Sequence, residues 1–130
     1  MSFKLNAEEN IFIAGASGMV GSSIKREFEK LGYGEYREKG KLLCPSSKEL
    51  NLLNNDEVNK WFIKNNPTIV IIAAAKVGGI YANSSQPFDF ILENLKIQTN
   101  LIENSWKYGV KKLLFLGSSC IYPKYCQQPI

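Results

Sequence analysis

The chain has 130 residues, 45% of them hydrophobic and 22% charged, with a net charge of +4, a composition that excludes disorder and suits a single core. Its basic residues are interleaved with acids, as in KREFEK, REKGK and WKYGVKK, which argues for a solvated surface and against a nucleic-acid groove. No apolar run approaches the roughly 18 residues of a membrane span and the start lacks the apolar stretch of a secretory signal, while three cysteines without a histidine form neither a disulfide framework nor a zinc site; the expectation is a cytoplasmic protein with reduced thiols, no metal, and neither nucleic acid nor membrane as partner.

NIFIAG is a short apolar run that ends at a glycine, the pattern of a fully buried strand. Beyond it Val20, Ile24, Phe28 and Leu31 recur at helical spacing, opposed by Lys25, Arg26, Glu27 and Lys30, until GYG ends the helix. KLLCP gives a second strand. NNDEVNKWFIKNNP predicts a second helix, capped by Asn54 or Asn55, burying Val58, Trp61 and Phe62 and broken by Pro67. TIVIIAAA is apolar on both faces and β-branched, which suits the middle of a parallel sheet. AAAKVGGIYANSSQP reads as a loop whose small residues Ala73, Ala74 and Ala75 allow close approach of a ligand, with a bend at Gly78 and Gly79. A long helix follows from Pro87 to Tyr108, with Phe88, Leu92, Leu95, Ile102 and Trp106 as its expected buried stripe and Gly109 as its stop. KKLLFLG is the fourth strand.

Strands alternating with helices over short connections predict an α/β, Rossmann-like doubly wound parallel sheet. The expected spatial order is 3-2-1-4, with a ligand crevice between strands one and four, outside their carboxyl ends. The expected unit is one Rossmann-like domain over residues 1–130, left incomplete after the fourth strand, whose apolar edge stays open.

GASGMVG places Gly15, Gly18 and Gly21 at three-residue intervals between the first strand and the first helix. Such a turn brings backbone N–H groups and the positive end of the helix dipole to a dinucleotide pyrophosphate. The base specificity is set after the second strand. NAD recognition ordinarily uses a carboxylate there, whereas CPSSKEL offers Ser46, Ser47 and Lys48, donors and a cation that favour the extra phosphate of NADP. Glu49 stands beside them as the competing candidate.

With IFIAGASGMVGSSI, SSKELNLLN, AAAKVGGIYAN, FILENLKIQTNLI and KLLFLGSSCIYPK in that order, the chain resembles the extended short-chain dehydrogenase/reductase family. Within it, the chain is similar to the NADP-dependent epimerase-reductases that act on GDP-4-keto-6-deoxy-mannose. The resemblance implies epimerisation at the two carbons flanking the ketone, then reduction by NADPH to GDP-L-fucose. It implies cofactor contacts from Gly15, Ser17, Gly18, Met19, Val20 and Gly21, from Ser46, Ser47, Lys48, Asn51 and Leu52 at the adenosine end, and from Ala73, Ala74, Ala75 and Asn94. Ser118 matches the serine that hydrogen-bonds the substrate carbonyl, and Cys120 the cysteine that carries a proton, a task suited to a thiol whose pKa of about 8.5 can be tuned. It also implies a GDP-sugar as substrate and pairing of two copies through the long helix. Ser17 departs from the family pattern, since many members carry there an arginine that reaches the NADP phosphate.

A larger departure concerns the catalytic pair. Reductases of this group use Y-x-x-x-K on one helix face, where the ammonium lowers the tyrosine pKa. Tyr108 and Lys112 have that spacing, but Gly109 stops the helix between them, so the match is a coincidence. The family's proton-carrying histidine has no counterpart, since the chain contains none. Three readings stay open: half of a split enzyme, a truncated product, or a non-enzymatic NADP-binding sensor; another nucleotide-sugar epimerase or dehydratase is the alternative activity.

Overall fold

The computed structural model describes residues 5, 8–34, 40–118, 121–123, 125–127 and 129. Four strands, β1 (Ile11–Ala14), β2 (Leu42–Leu43), β3 (Ile69–Ile72) and β4 (Lys112–Phe115), alternate with helices α1 (Met19–Lys30), α2 (Asn55–Asn65), α3 (Ile80–Ser85) and α4 (Pro87–Lys107). All the pairings are parallel.

The strand order is β2-β1-β3-β4, which corrects the expected 3-2-1-4. That order puts the third strand at an edge, yet Ile69, Val70, Ile71 and Ile72 are all buried, and a run apolar on both faces is stable only with a neighbour on each side and helices above and below. β3 therefore pairs with β1 from Ile11↔Ile69 to Ala14↔Ile72 and with β4 from Ile69↔Lys112 to Ile72↔Phe115. The chain reverses direction across the sheet between β1 and β3, so the crevice opens there and not between the first and fourth strands.

Alternate residues of the two central strands feed two cores. Ile11, Ile13, Ile69 and Ile71 pack with Tyr33 and with Ile24 and Phe28 of α1. Phe12, Ala14, Val70 and Ile72 pack on the other face with Val58 and Phe62 of α2 and Ile97 and Leu101 of α4. The Phe12 ring lies 4.2 Å from that of Trp61. This two-sided covering is the doubly wound arrangement that the strand-helix alternation predicts.

Helix boundaries follow local chemistry. Asn54 caps α2 by accepting from the N–H groups of Asp56 (3.0 Å) and Glu57 (3.3 Å), and the left-handed Asn66 ends it before Pro67. Two apolar stripes differ from expectation. In α1 the inward line is Gly21, Ile24 and Phe28, whereas Val20 and Leu31 are exposed; the line starts one residue later because the glycine is the point of closest approach to the sheet. In α4 the buried line is Phe90, Ile97, Asn100, Leu101, Asn104 and Ser105, and Phe88, Leu95, Ile102 and Trp106 face outward. Hydrophobicity misplaces this helix because half of its inward positions are polar: Asn104 donates to Asn55 Oδ1 (2.9 Å) and the Asn100 carbonyl, and Ser105 to the Leu101 carbonyl. The expected loop between β3 and the long helix also contains a turn and a half of helix, α3, braced by Asn83 Nδ2 donating to the Gly78 and Gly79 carbonyls (2.8 and 3.1 Å).

Tyr108 packs on Phe62 and donates its hydroxyl to Asn59, while Lys112 lies in β4. The two therefore share no helix face. Among the described residues no strand covers the outer edge of β4, where Leu113, Leu114 and Phe115 are 40–51% exposed.

Candidate functional site at the exits of β1 and β3

β1 runs into a turn in which Gly18 N–H donates to the Gly15 carbonyl (3.0 Å). Gly15 has φ +84°, and a Cβ there would lie 2.7 Å from the backbone N and Cα of Ala74. The exits of the two central strands thus touch, which only a residue without a side chain permits. Gly21 is as constrained: its Cβ would fall 2.1 Å from the Gly15 carbonyl oxygen. Gly18 precedes α1 without any side-chain cap, and the first turn of α1 carries no acid. The first N–H groups of a helix have no partner within it. Those of α2 face Asn54 and two acids; those of α1 have neither, an arrangement that suits an anion.

Two cavities flank this turn and share Gly15, Ser17, Ala74 and Ile97 as walls, making one crevice. The deeper lobe, ≈ 240 Å³, continues between Phe12, Ala14 and the segment after β2, including Pro45, Ser47, Leu50, Asn51 and Leu52. The more open lobe, ≈ 390 Å³, is bounded by Gly18, Ala73, Ala75, Lys76 and Glu93. The first is apolar, as a flat heteroaromatic base requires; the second has the open helix terminus beside it.

Of the residues singled out in the sequence, Gly15, Ser17, Gly18, Ser47, Asn51, Leu52, Ala73, Ala74 and Ala75 line this crevice. Met19, Val20 and Gly21 form the first turn of α1. Ser46 lines neither lobe and directs both its N–H and its hydroxyl to Glu49 Oε2 (2.8 Å each). Those bonds, backbone first, hold the Glu49 carboxyl below the usual carboxylate range. Both bonds reach a single carboxylate oxygen, and beside it Ser47 and Lys48 are exposed donors. Asn94 lies behind the crevice: Oδ1 accepts from Lys76 N–H (2.8 Å), and Nδ2 donates to the Lys76 and Phe90 carbonyls (2.9 and 2.8 Å). Its amide protons are committed to the backbone.

Ser118 follows β4 on the same carboxyl edge, beyond Leu116, whose N–H donates to the Ile72 carbonyl (3.2 Å); it is exposed. Cys120 lies outside the described residues. Among the described residues no three His, Cys, Asp or Glu side chains gather as a metal site would require. No helix among them is long and apolar enough to cross a membrane. Sequence reasoning missed Lys76, Glu93 and Ile97 as crevice walls. Lys76 pairs with Glu93 at 2.6 Å, a contact between residues 17 apart, and Ile97 lies seven residues from Phe90, a helical repeat that the exposed apolar stripe obscured.

A parallel, doubly wound sheet whose central strand exits open on a glycine turn is the architecture of Rossmann-like nucleotide-binding proteins. Residues 11–130 match the NAD dependent epimerase/dehydratase family. The chain belongs to that family. It is 49% identical over 129 residues to a protein of Arabidopsis thaliana named putative GDP-L-fucose synthase 2, covering 99% of this chain and 38% of the relative. It is 50% identical over 120 residues to GDP-L-fucose synthase 1 of the same plant, covering 92% of this chain and 35% of the relative. Among solved structures it superposes on the GDP-mannoheptose C4 reductase of Campylobacter jejuni with NADP bound, at a TM-score of 0.86 and 35% identity over 98% of this chain and 36% of that one. The chain thus spans little more than a third of the proteins it matches.

Proposed function

We propose that these 130 residues are the cofactor-binding, amino-terminal part of a GDP-L-fucose synthase, converting GDP-4-keto-6-deoxy-mannose to GDP-L-fucose with NADPH in the cytoplasm. The observation that carries the cofactor reading is the uncapped amino end of α1 held against the exits of β1 and β3 by Gly15 and Gly21. The likeness to named GDP-L-fucose synthases across 92–99% of the chain supports the substrate. When bound, NADPH supplies the hydride that reduces the ketone. The chain's own part is to bind and orient. The N–H groups of the first α1 turn take the pyrophosphate, the lobe beside Leu50 and Leu52 encloses the adenine, and Ser47 with Lys48 meets the ribose phosphate. Glu49, held in its ionised form by two hydrogen bonds from Ser46, keeps its negative charge beside that phosphate, and the Lys48 ammonium offsets it.

In the same reading Ser118 donates a hydrogen bond to the substrate carbonyl oxygen, which stabilises the enolate formed when a flanking carbon loses its proton. Cys120 and the family's histidine are the two proton carriers, one taking the proton from one face of such a carbon and the other supplying a proton to the opposite face, which inverts it. The Tyr/Lys pair and the histidine come from polypeptide beyond these residues, so the portion alone is inactive. The outward stripe of α4, Phe88, Ile91, Leu95, Ile102 and Trp106, supports pairing of two copies along this helix.

The test is calorimetric titration of the chain with NADPH and NADH, followed by assay on GDP-4-keto-6-deoxy-mannose in the presence of the polypeptide that completes it. Tight NADPH binding and activity only in the completed enzyme are expected. Failure of both dinucleotides to bind would overturn the reading.

A further inference from the structure

The two walls of the crevice are segments without regular structure, and each is tied to α4 by an asparagine. On one side Asn94 clips the peptide of Lys76 through both amide groups, fixing the segment that leaves β3. On the other, the buried Asn100 donates from Nδ2 to the Leu52 carbonyl (2.8 Å), fixing the segment that leaves β2. Between them Ile97 forms part of both lobes. Positions 94, 97 and 100 recur every three residues and so lie along one side of the helix. Ala73 N–H still donates to the Ala14 carbonyl of β1 (2.9 Å), but Lys76 and Leu52 lie beyond the strands, and there an amide on a rigid helix takes the place of a sheet partner.

We propose that Asn94 and Asn100 are positioning residues that set the width of the dinucleotide crevice from behind, Asn100 acting on the apolar lobe assigned to the adenosine and Asn94 on the more open lobe bounded by Ala73, Ala75 and Lys76, which is left for the nicotinamide half. This rests on the cofactor reading given above. Neither residue needs to touch the ligand. Asn94 is thereby reassigned from a cofactor contact to a support for Ala73, Ala74 and Ala75. The two supports act on different lobes, so their loss separates by ligand fragment.

The experiment measures binding of NADPH, of the adenosine bisphosphate fragment of NADP, and of nicotinamide mononucleotide to the full chain and to Asn100→Asp and Asn94→Asp. Asn100→Asp turns a donor into an acceptor facing a carbonyl. It is expected to weaken NADPH and the adenosine fragment about tenfold, a change of about 1.4 kcal/mol, and to leave nicotinamide mononucleotide unchanged. Asn94→Asp keeps the acceptor for Lys76 N–H and loses both donors; it should weaken NADPH while sparing the adenosine fragment. Where an Asp variant loses its cooperative melt, the Ala variant at the same position is read in its place. Equal weakening of all ligands, or a lower melting temperature with unchanged affinities, would show a merely structural role and overturn the inference. Wild-type chain that binds neither NADPH nor the adenosine fragment would instead overturn the cofactor reading beneath it.

Discussion

Replacing Gly21 by alanine isolates the contact on which the crevice rests. In an exposed helix, glycine to alanine stabilises by about 1 kcal/mol. Here the added methyl would sit 2.1 Å from the Gly15 carbonyl oxygen, more than 1 Å inside the contact distance of roughly 3.3 Å for such a pair. The obstruction is backbone, so either α1 or the Gly15 turn must move. Overpacking of this kind costs about 3 kcal/mol at the upper end of its usual range, leaving a net loss of about 2 kcal/mol. With an unfolding entropy of about 2.1 cal/mol/K per residue, that lowers the melting temperature by roughly 7 °C. Because the displaced element carries the anion-facing N–H groups, NADPH affinity should fall with it. Gly79→Ala is the control: it lies at the amino end of another helix, α3, and nothing lies within 4 Å of its added Cβ, so it should stay within about 0.5 kcal/mol of wild type. Calorimetric melting decides the matter. If Gly21→Ala melts at or above wild type, the close packing of α1 against the β1 exit is wrong.

Lys48→Ala should weaken NADPH about ten- to hundredfold, the loss of one charged hydrogen bond of about 1.5–3 kcal/mol, with NADH unchanged; parallel titrations check it, and equal effects on both would remove Lys48 from phosphate recognition. Asn54→Ala strips the acceptor from the Asp56 and Glu57 N–H groups of α2 and should cost about 1 kcal/mol, some 4 °C in melting temperature, without changing ligand affinity. Glu9, bonded by Thr68 and then by the Lys111 ammonium, is held below the usual carboxylate range. A depressed folded-state pKa adds stability above the unfolded value, and that stability is lost as pH falls through the folded value. Glu9→Gln should therefore lower stability at neutral pH by at most about 1 kcal/mol and flatten the decline below about pH 5; denaturant melts across that range would show an unchanged slope if the ion pair is idle.

What the sequence determined by itself was local and periodic. Four-residue apolar runs bounded by glycine or proline gave β1 and β3, Asn54 and Pro67 bounded α2, and the spacing of Gly15, Gly18 and Gly21 located the turn at the crevice. These features depend on a few neighbouring residues, whose dihedral preferences act before any tertiary contact forms. The strand order did not have that character. TIVIIAAA carried the requirement for two neighbours, but only closure of the sheet showed that β1 and β4 supply them. The orientation of α4 was likewise a tertiary decision: Asn100 and Asn104 face inward because Leu52 and Asn55 offer partners there, whereas Phe88 and Trp106, although apolar, point away. Hydrophobicity ranks side chains one at a time, and a buried amide becomes favourable only when a specific distant group completes its hydrogen bonds. The walls of the crevice belong to the same class, since Asn94 and Lys76 meet across 18 residues. A pairing that remote has no signature in either segment alone.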